Sequence, residues 1–213
     1  MTASRAVLFD FDGTLADTAP DLAAALNYLR AQKGLKEMAV SEVRPFASMG
    51  ARGLLQVGFG LMPDNADFPV LRDAFLDRYE QNVCVHTRLF PGMPELLAKL
   101  QVPWGIVTNK ATRFTGKLVK ALQLRPACVV CGDSTPHLKP HPAPLLLAAS
   151  QLNLPGRQIL YVGDDLRDIQ AARAAGMRSV AVEYGYHGTD NGGPRTWNAD
   201  LVISHPQELL EHL

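Results

Sequence analysis

Short apolar runs alternate with longer amphipathic stretches over most of the chain. AVLF at 6–9, PWGIV at 103–107, CVV at 128–130, ILYV at 159–162, SVAV at 179–182 and LVI at 201–203 are β-rich, and each predicts a strand. Between them MPELLAKL, FTGKLVKAL, APLLLAASQL and DIQAARAAGM read as helices, the last closed by Gly176 as a C-cap. That alternation predicts a parallel sheet wrapped by helices on both faces, an α/β architecture.

The interval from about 15 to 88 breaks the pattern. It holds the helical candidates PDLAAALNYLRAQ, ARGLLQVGFG and FPVLRDAFLDRYEQN and predicts no strand. The expected organisation is therefore an α/β core of residues 1–14 and 89–213 with a helical insert at 15–88. The chain re-enters the core through the turn signal Phe90, Pro91, Gly92. Near the end, GYHGTDNGGP at 185–194 predicts a surface loop.

Composition narrows the function by exclusion. A chain of 213 residues, 47% of them hydrophobic, buries one substantial core and carries at most a smaller lobe beside it. With 21 basic and 21 acidic residues there is no global field to attract nucleic acid or an anionic membrane, so the expected partner is a small, locally bound molecule; oligomeric state is left open. The apolar run in MTASRAVLFDFDGTL is too short for a signal segment and no stretch is long enough to span a bilayer, so a cytoplasmic protein is expected. Three cysteines argue against a disulfide framework. Cys128 and Cys131 form a C-x-x-C without a second pair of ligands, and ACVVCGD reads as a buried strand; Cys84 has no evident partner.

Candidate chemistry gathers at the strand ends. In an open parallel sheet, ligands bind beyond the carboxyl ends of the strands. Asp10 follows AVLF, Thr108 and Asn109 follow WGIV, Asp164 and Asp165 follow YVG, and Lys139 lies in the loop TPHLKPHP. Together they can hold a divalent cation beside a phosphate. The cluster Asp10-Phe11-Asp12-Gly13-Thr14 is not a calcium loop, since the glycine expected at its sixth position and the glutamate expected at its twelfth are missing. Glycine-rich nucleotide loops are missing as well. Two readings survive: a tight turn with a helix cap, or a working pair of carboxylates just past a buried strand.

AVLFDFDGTLADT resembles the opening motif of the haloacid dehalogenase superfamily of phosphatases. Its later motifs are matched in order by VTNK at 107–110, Lys139-Pro140 and VGDDLRD at 162–168, so the resemblance spans the chain. The insert sits where the phosphoglycolate phosphatase and phosphomutase branch carries a helical cap. RPFASMGARGLL, CGDSTPHLKPHPAP and YVGDDLRDIQAARAAGM are similar to bacterial phosphoglycolate phosphatases and N-acetylmuramic acid 6-phosphate phosphatases.

The resemblance implies a doubly wound, Rossmann-like parallel sheet with an inserted α-helical cap domain. It also implies Mg²⁺-dependent hydrolysis of a small phosphorylated metabolite through an aspartyl-phosphate. In that scheme Asp10 is the nucleophile and Asp12 the general acid and base. Asp10, the Asp12 carbonyl and Asp164 hold the metal. Thr108, the Asn109 amide and Lys139 stabilise the phosphoryl oxygens. Asp168 orients the metal ligands, and Asp165 either joins it or caps the following helix. Specificity is expected from the loop SMGARG, with Gly50 allowing close backbone approach and Arg52 or Arg44 binding a substrate carboxylate. Phosphoglycolate is the first expected substrate and N-acetylmuramic acid 6-phosphate the second. A β-phosphoglucomutase-type mutase and a non-catalytic metal and phosphate sensor are the competing readings.

Overall fold

The computed structural model describes residues 4–188 and 192–213. Its strands are β1 Ala6–Phe9, β2 Ala16–Asp17, β3 Arg88–Leu89, β4 Trp104–Val107, β5 Val129–Val130, β6 Ile159–Gly163, β7 Arg178–Val182 and β8 Leu201–Ile203. Its α-helices are α1 Ala19–Gln32, α2 Val40–Val43, α3 Gly50–Phe59, α4 Phe68–Gln81, α5 Met93–Lys99, α6 Thr112–Ala121, α7 Ala143–Gln151 and α8 Leu166–Ala174. Part of the loop expected at 185–194, residues 189–191, lies outside the described residues.

Six strands form one parallel sheet in the order β5-β4-β1-β6-β7-β8. β1 sits at the centre, and all four of its residues are buried because both faces are covered by helices. Successive side chains point to opposite faces. Val7 and Phe9 join a core with Met93 and Leu96 of α5 and Phe114 and Leu118 of α6. Ala6 and Leu8 join a second core with Leu145 and Ala148 of α7 and Ala171 and Ala172 of α8. Burying a side chain such as Phe9 contributes about 2 kcal/mol, which is why the central strand tolerates no polar residue until Asp10. The chain passes from β1 to β4 on one side and later crosses to β6 on the other. The order in which strands are added therefore reverses between β1 and β6, where the crevice of a doubly wound sheet opens.

The helical segment is continuous with the first of these cores through Leu22, Leu26, Leu54, Phe75 and Tyr79. Its base differs from the sequence expectation. Where no strand was predicted, β2 pairs antiparallel with β3, Ala16 opposite Leu89 and Asp17 opposite Arg88. Two residues per strand are too few to show a period-2 pattern. Buried Asp21 of α1 reinforces this junction by accepting hydrogen bonds from the His86 and Thr87 backbone N–H groups and the Thr87 hydroxyl. The turn between α2 and α3 is a 3₁₀ helix, Arg44–Met49, ending at Gly50. A Cβ at Gly50 would meet no protein atom within 4 Å, so no contact within the protein requires glycine there. Its φ of +61° is the reason for glycine, since the chain must turn through a left-handed conformation to enter α3.

Among the described residues no helix is long and apolar enough to cross a membrane. Cys128 and Cys131 are free and buried, as the strand reading requires, and burial pushes the Cys128 thiol up to about 11.

Candidate active site

A cavity of about 350 Å³ opens between the strand ends and the helical segment. Asp10, Asp12, Thr108, Asn109, Lys110, Lys139, Asp165 and Arg167 line one wall; Leu22, Ala47–Ala51, Phe75, Leu76 and Tyr79 line much of the other.

Lys139 organises the sheet side. Its buried ammonium lies 2.9 Å from Asp10 Oδ1 and 2.7 Å from Asp168 Oδ1, and it donates to the Val107 carbonyl at 3.1 Å and the Tyr161 phenol at 2.7 Å. Burial alone would lower the pKa of this ammonium, but Asp10 and Asp168 outweigh it and hold it raised. Burial, Asp168 and Asp10 keep the Tyr161 phenol far above its usual range, so it stays a neutral donor. The Lys139 loop is fixed by a reciprocal pair: Lys139 N donates to Asn109 Oδ1 at 2.9 Å and Asn109 Nδ2 donates to the Lys139 carbonyl at 3.0 Å. The Asn109 side-chain amide thus positions Lys139. Thr108, 2% exposed, lines the cavity and its hydroxyl accepts from Lys110 N at 3.2 Å.

Asp10 Oδ1 also accepts from Phe11 N at 2.7 Å. Two residues on, Asp12 is held between the Lys110 ammonium at 3.1 Å and the Thr18 hydroxyl, which donates to the same oxygen. Lys110 is largely covered, its side chain 9% exposed, with its ammonium 4.7 Å from the centre of the Tyr79 ring of α4. Burial would lower its pKa, yet Asp12 and Tyr79 hold it raised.

Asp164, fully buried, accepts from the Thr14 hydroxyl at 2.9 Å and from Tyr186 N at 2.9 Å. The Asp10-to-Thr14 loop can approach it because residue 13 is glycine: φ is +80°, and a Cβ would fall 2.1 Å from Asp164 Oδ2. Asp165 caps α8, its Oδ1 accepting from Arg167 N at 3.0 Å, and Asp168 Oδ2 accepts from Asp165 N at 3.1 Å to complete the reciprocal cap.

Asp10, Asp164 and Asp168 each offer a carboxylate oxygen within 4.8 Å of the others. Burial, Asp10 and Asp168 push Asp164 well above the usual carboxylate range. Hard oxygen donors crowded at a repulsive cost suit a small divalent cation, which would remove that repulsion. Asp168 commits one oxygen to Lys139 and Tyr161 and the other to Asp165 N, and Asp164 commits one each to Thr14 and Tyr186 N, whereas both contacts of Asp10 fall on Oδ1.

The structure thus brings together Asp10, Asp12, Thr108, Asn109, Lys139, Asp164, Asp165 and Asp168, and places Gly50 on the opposite wall. It does not bring in the two arginines. Arg44 is pinned in a bidentate pair with Asp17, at 2.9 and 2.8 Å, and stacks on Tyr186; Arg52 is exposed on α3, and neither lines the cavity. The cavity arginines are instead Arg113 and Arg167. Sequence reasoning also passed over Thr14, Lys110 and Tyr186, although Lys110 ends the VTNK motif and Thr14 follows Asp12-Gly13.

Comparison with known proteins agrees with this fold. A family model described as haloacid dehalogenase-like hydrolase matches residues 7–182. The chain is 46% identical over 211 residues to N-acetylmuramic acid 6-phosphate phosphatase of Pseudomonas putida, covering 96% of this chain and 94% of that protein. It is 42% identical over 216 residues to phosphoglycolate phosphatase of Xanthomonas campestris pv. campestris, covering 99% and 97%. A crystal structure described as a predicted phosphoglycolate phosphatase from Haemophilus somnus superposes with a TM-score of 0.86 at 29% identity, covering 99% of this chain and 98% of that one.

Proposed function

We propose, from the premise that this chain belongs to the haloacid dehalogenase-like hydrolase family, that it is a Mg²⁺-dependent phosphatase acting on a carboxylate-bearing phosphate monoester, N-acetylmuramic acid 6-phosphate first. The observation that carries the reading is the placement of Asp10 and Asp12 in one cavity, each beside its own lysine.

In the first step an Asp10 carboxylate oxygen attacks phosphorus, the ester P–O bond breaks, and Asp12 delivers a proton to the departing alkoxide. In the second, Asp12 takes a proton from water as the water oxygen attacks phosphorus, and the Asp10–phosphorus bond breaks to release phosphate. Lys139 and Thr108 meet the charge on the phosphoryl oxygens. Asn109 holds Lys139 at its post, and Lys110 with Thr18 holds Asp12. Mg²⁺, held by Asp10, Asp164 and the Asp12 carbonyl, would neutralise charge between the attacking carboxylate and the phosphate. The helical segment 15–88 serves as a cap that excludes water and selects the substrate, over a core of 1–14 and 89–213.

Cavity size sets the order of substrates. About 350 Å³ falls in the range that buries a ligand of some twenty heavy atoms, more than a two-carbon acid fills. Phosphoglycolate, the first choice from sequence alone, is retained as the second reading because relatives at 42% identity carry that name. The test is release of phosphate from N-acetylmuramic acid 6-phosphate, phosphoglycolate and glucose 6-phosphate, with Mg²⁺ and after chelation. Phosphate release from none of them, or an isomerised sugar phosphate in its place, would overturn the proposal.

A further inference from the structure

We propose that Arg167 and the Ser48 hydroxyl form the subsite that reads the substrate's carboxylate, a role that rests on the phosphatase reading above. Arg167 opens α8 and is held by Asp165, with Nε donating at 2.9 Å and Nη2 at 3.1 Å; Nη1 donates to the Ser48 carbonyl at 3.0 Å. Those three bonds leave one N–H on each terminal nitrogen of the guanidinium uncommitted. The group is part buried, its side chain 29% exposed, and it lines the same cavity as Asp10. Because Asp165 fixes its plane, little side-chain freedom remains to be lost when a ligand binds.

The second observation comes from the opposite wall. Ser48 also lines the cavity, and its hydroxyl is buried without a hydrogen-bond partner among the described residues. A buried hydroxyl left unsatisfied is unfavourable, and a ligand oxygen that accepts from it removes the penalty. A carboxylate has acceptors enough for the Ser48 O–H and for both spare Arg167 N–H groups. The reacting phosphate is served elsewhere, by Lys139 and Thr108 beside Asp10. Other arginines are less suited: Arg44 and Arg52 do not line the cavity, and Arg113, which does, is 44% exposed and paired with Glu80 at 3.3 Å. Solvent screens such an exposed group, whereas Arg167 acts in a more desolvated setting.

The experiment compares N-acetylmuramic acid 6-phosphate with N-acetylglucosamine 6-phosphate, which lacks only the lactyl ether and its carboxylate. The wild-type chain with Mg²⁺ should prefer the former in kcat/KM, and Arg167→Met should lower that preference by about 30-fold, mainly through KM. Ser48→Ala should lower it by about 5-fold while leaving the melting temperature unchanged or raised, because it removes an unsatisfied hydroxyl. Equal losses on both sugars would mean that Arg167 only steadies the Ser48 loop, and would overturn the assignment. Should Arg167→Met fail to fold, the Ser48→Ala ratio decides alone. A wild type that turns over both sugars equally refutes the subsite and leaves the phosphatase reading standing. Failure to release phosphate from any ester refutes both.

Discussion

The sheet wall and the helical wall of the cavity carry their polar groups in opposite ways. On the sheet side each carboxylate has at least two partners: Asp10 has Lys139 and Phe11 N, Asp12 has Lys110 and Thr18, and Asp164 has Thr14 and Tyr186 N. On the helical side the lining is mostly apolar, and two of its hydroxyls, those of Ser48 and Tyr79, are buried with no well-formed hydrogen bond among the described residues. A wall whose groups are held before substrate arrives suits chemistry, since preorganised charges need not rearrange in the transition state. One that leaves donors unsatisfied suits recognition, since the correct ligand completes it.

Substitutions on the sheet side should therefore act on kcat, and the largest effect is expected at Asp10. Asp10→Asn keeps the shape of the side chain but removes the nucleophilic charge, and turnover should fall by at least about 10⁴-fold. The melting temperature should change little. Multiple turnover by the purified variant, with contaminating phosphatase excluded, would move the nucleophile to another residue.

Asp164→Asn separates metal binding from fold. Its carboxylate is raised by burial and by Asp10 and Asp168, so the neutral amide relieves repulsion in the metal-free protein. An asparagine oxygen can still accept from Tyr186 N while its amide donates to the Thr14 hydroxyl. The variant should melt at the same or a higher temperature than wild type in EDTA. Mg²⁺ should raise the melting temperature of the wild type, and the variant should lose both that rise and all activity. Ca²⁺ should not replace Mg²⁺ in turnover, because its looser and larger coordination shell misplaces the nucleophile. A variant that keeps the Mg²⁺-dependent shift would place the cation elsewhere.

The same contrast explains what could be read from residues alone. Asp10 and Asp164 were legible because each follows a strand signal, with Asp12 two residues past Asp10 and Lys139 in the loop after CVV, and strand ends of a doubly wound sheet converge by topology. The strands and the long helices were legible from their periodicity. The helical wall was not, because which arginine faces a cavity depends on the packing of α3 and α8 and on ion pairs across long sequence separations. Arg44 looked available in RPFASMGARG, but Asp17, 27 residues earlier, takes it. Nothing in the sequence marks Arg167, in the first turn of α8, yet it reaches Ser48, 119 residues away. Lys110 could have been found, since a lysine just past the end of β4 is a candidate partner for a carboxylate at the end of the neighbouring strand β1.

Lys110→Met tests whether the sheet wall is as preorganised as its partners suggest. The methionine keeps the length and the contact with the Tyr79 and Phe114 rings but removes the charge facing Asp12. With Asp12 held by Thr18 alone, kcat should fall by about 100-fold, within the span of a general acid–base contribution, and KM should stay within about 3-fold. If KM rose and kcat held, Lys110 would belong with the recognition wall.

The smallest effect is expected from Tyr79→Phe on the helical side. The ring packs against Phe114 at 5.3 Å and stacks with Phe75 at 6.4 Å between centroids, contacts that phenylalanine preserves. Burial, opposed by the nearby Lys110 ammonium, pushes the phenol up to about 12, so it is neutral throughout the working pH range, and its oxygen makes no well-formed hydrogen bond among the described residues. Removing that oxygen should stabilise the protein by about 1 kcal/mol, which for a chain of this size raises the melting temperature by about 2–4 °C. Lys110 keeps an aromatic face beneath its ammonium, so kcat should stay within about 2-fold of wild type. The readout is a thermal melt beside a saturation curve on the sugar phosphate. A higher melting temperature with an unchanged KM makes Tyr79 a packing residue and leaves Ser48 as the helical wall's recognition hydroxyl. A higher melting temperature with a raised KM makes Tyr79 a second recognition hydroxyl, one whose instability in the free enzyme is relieved by the substrate.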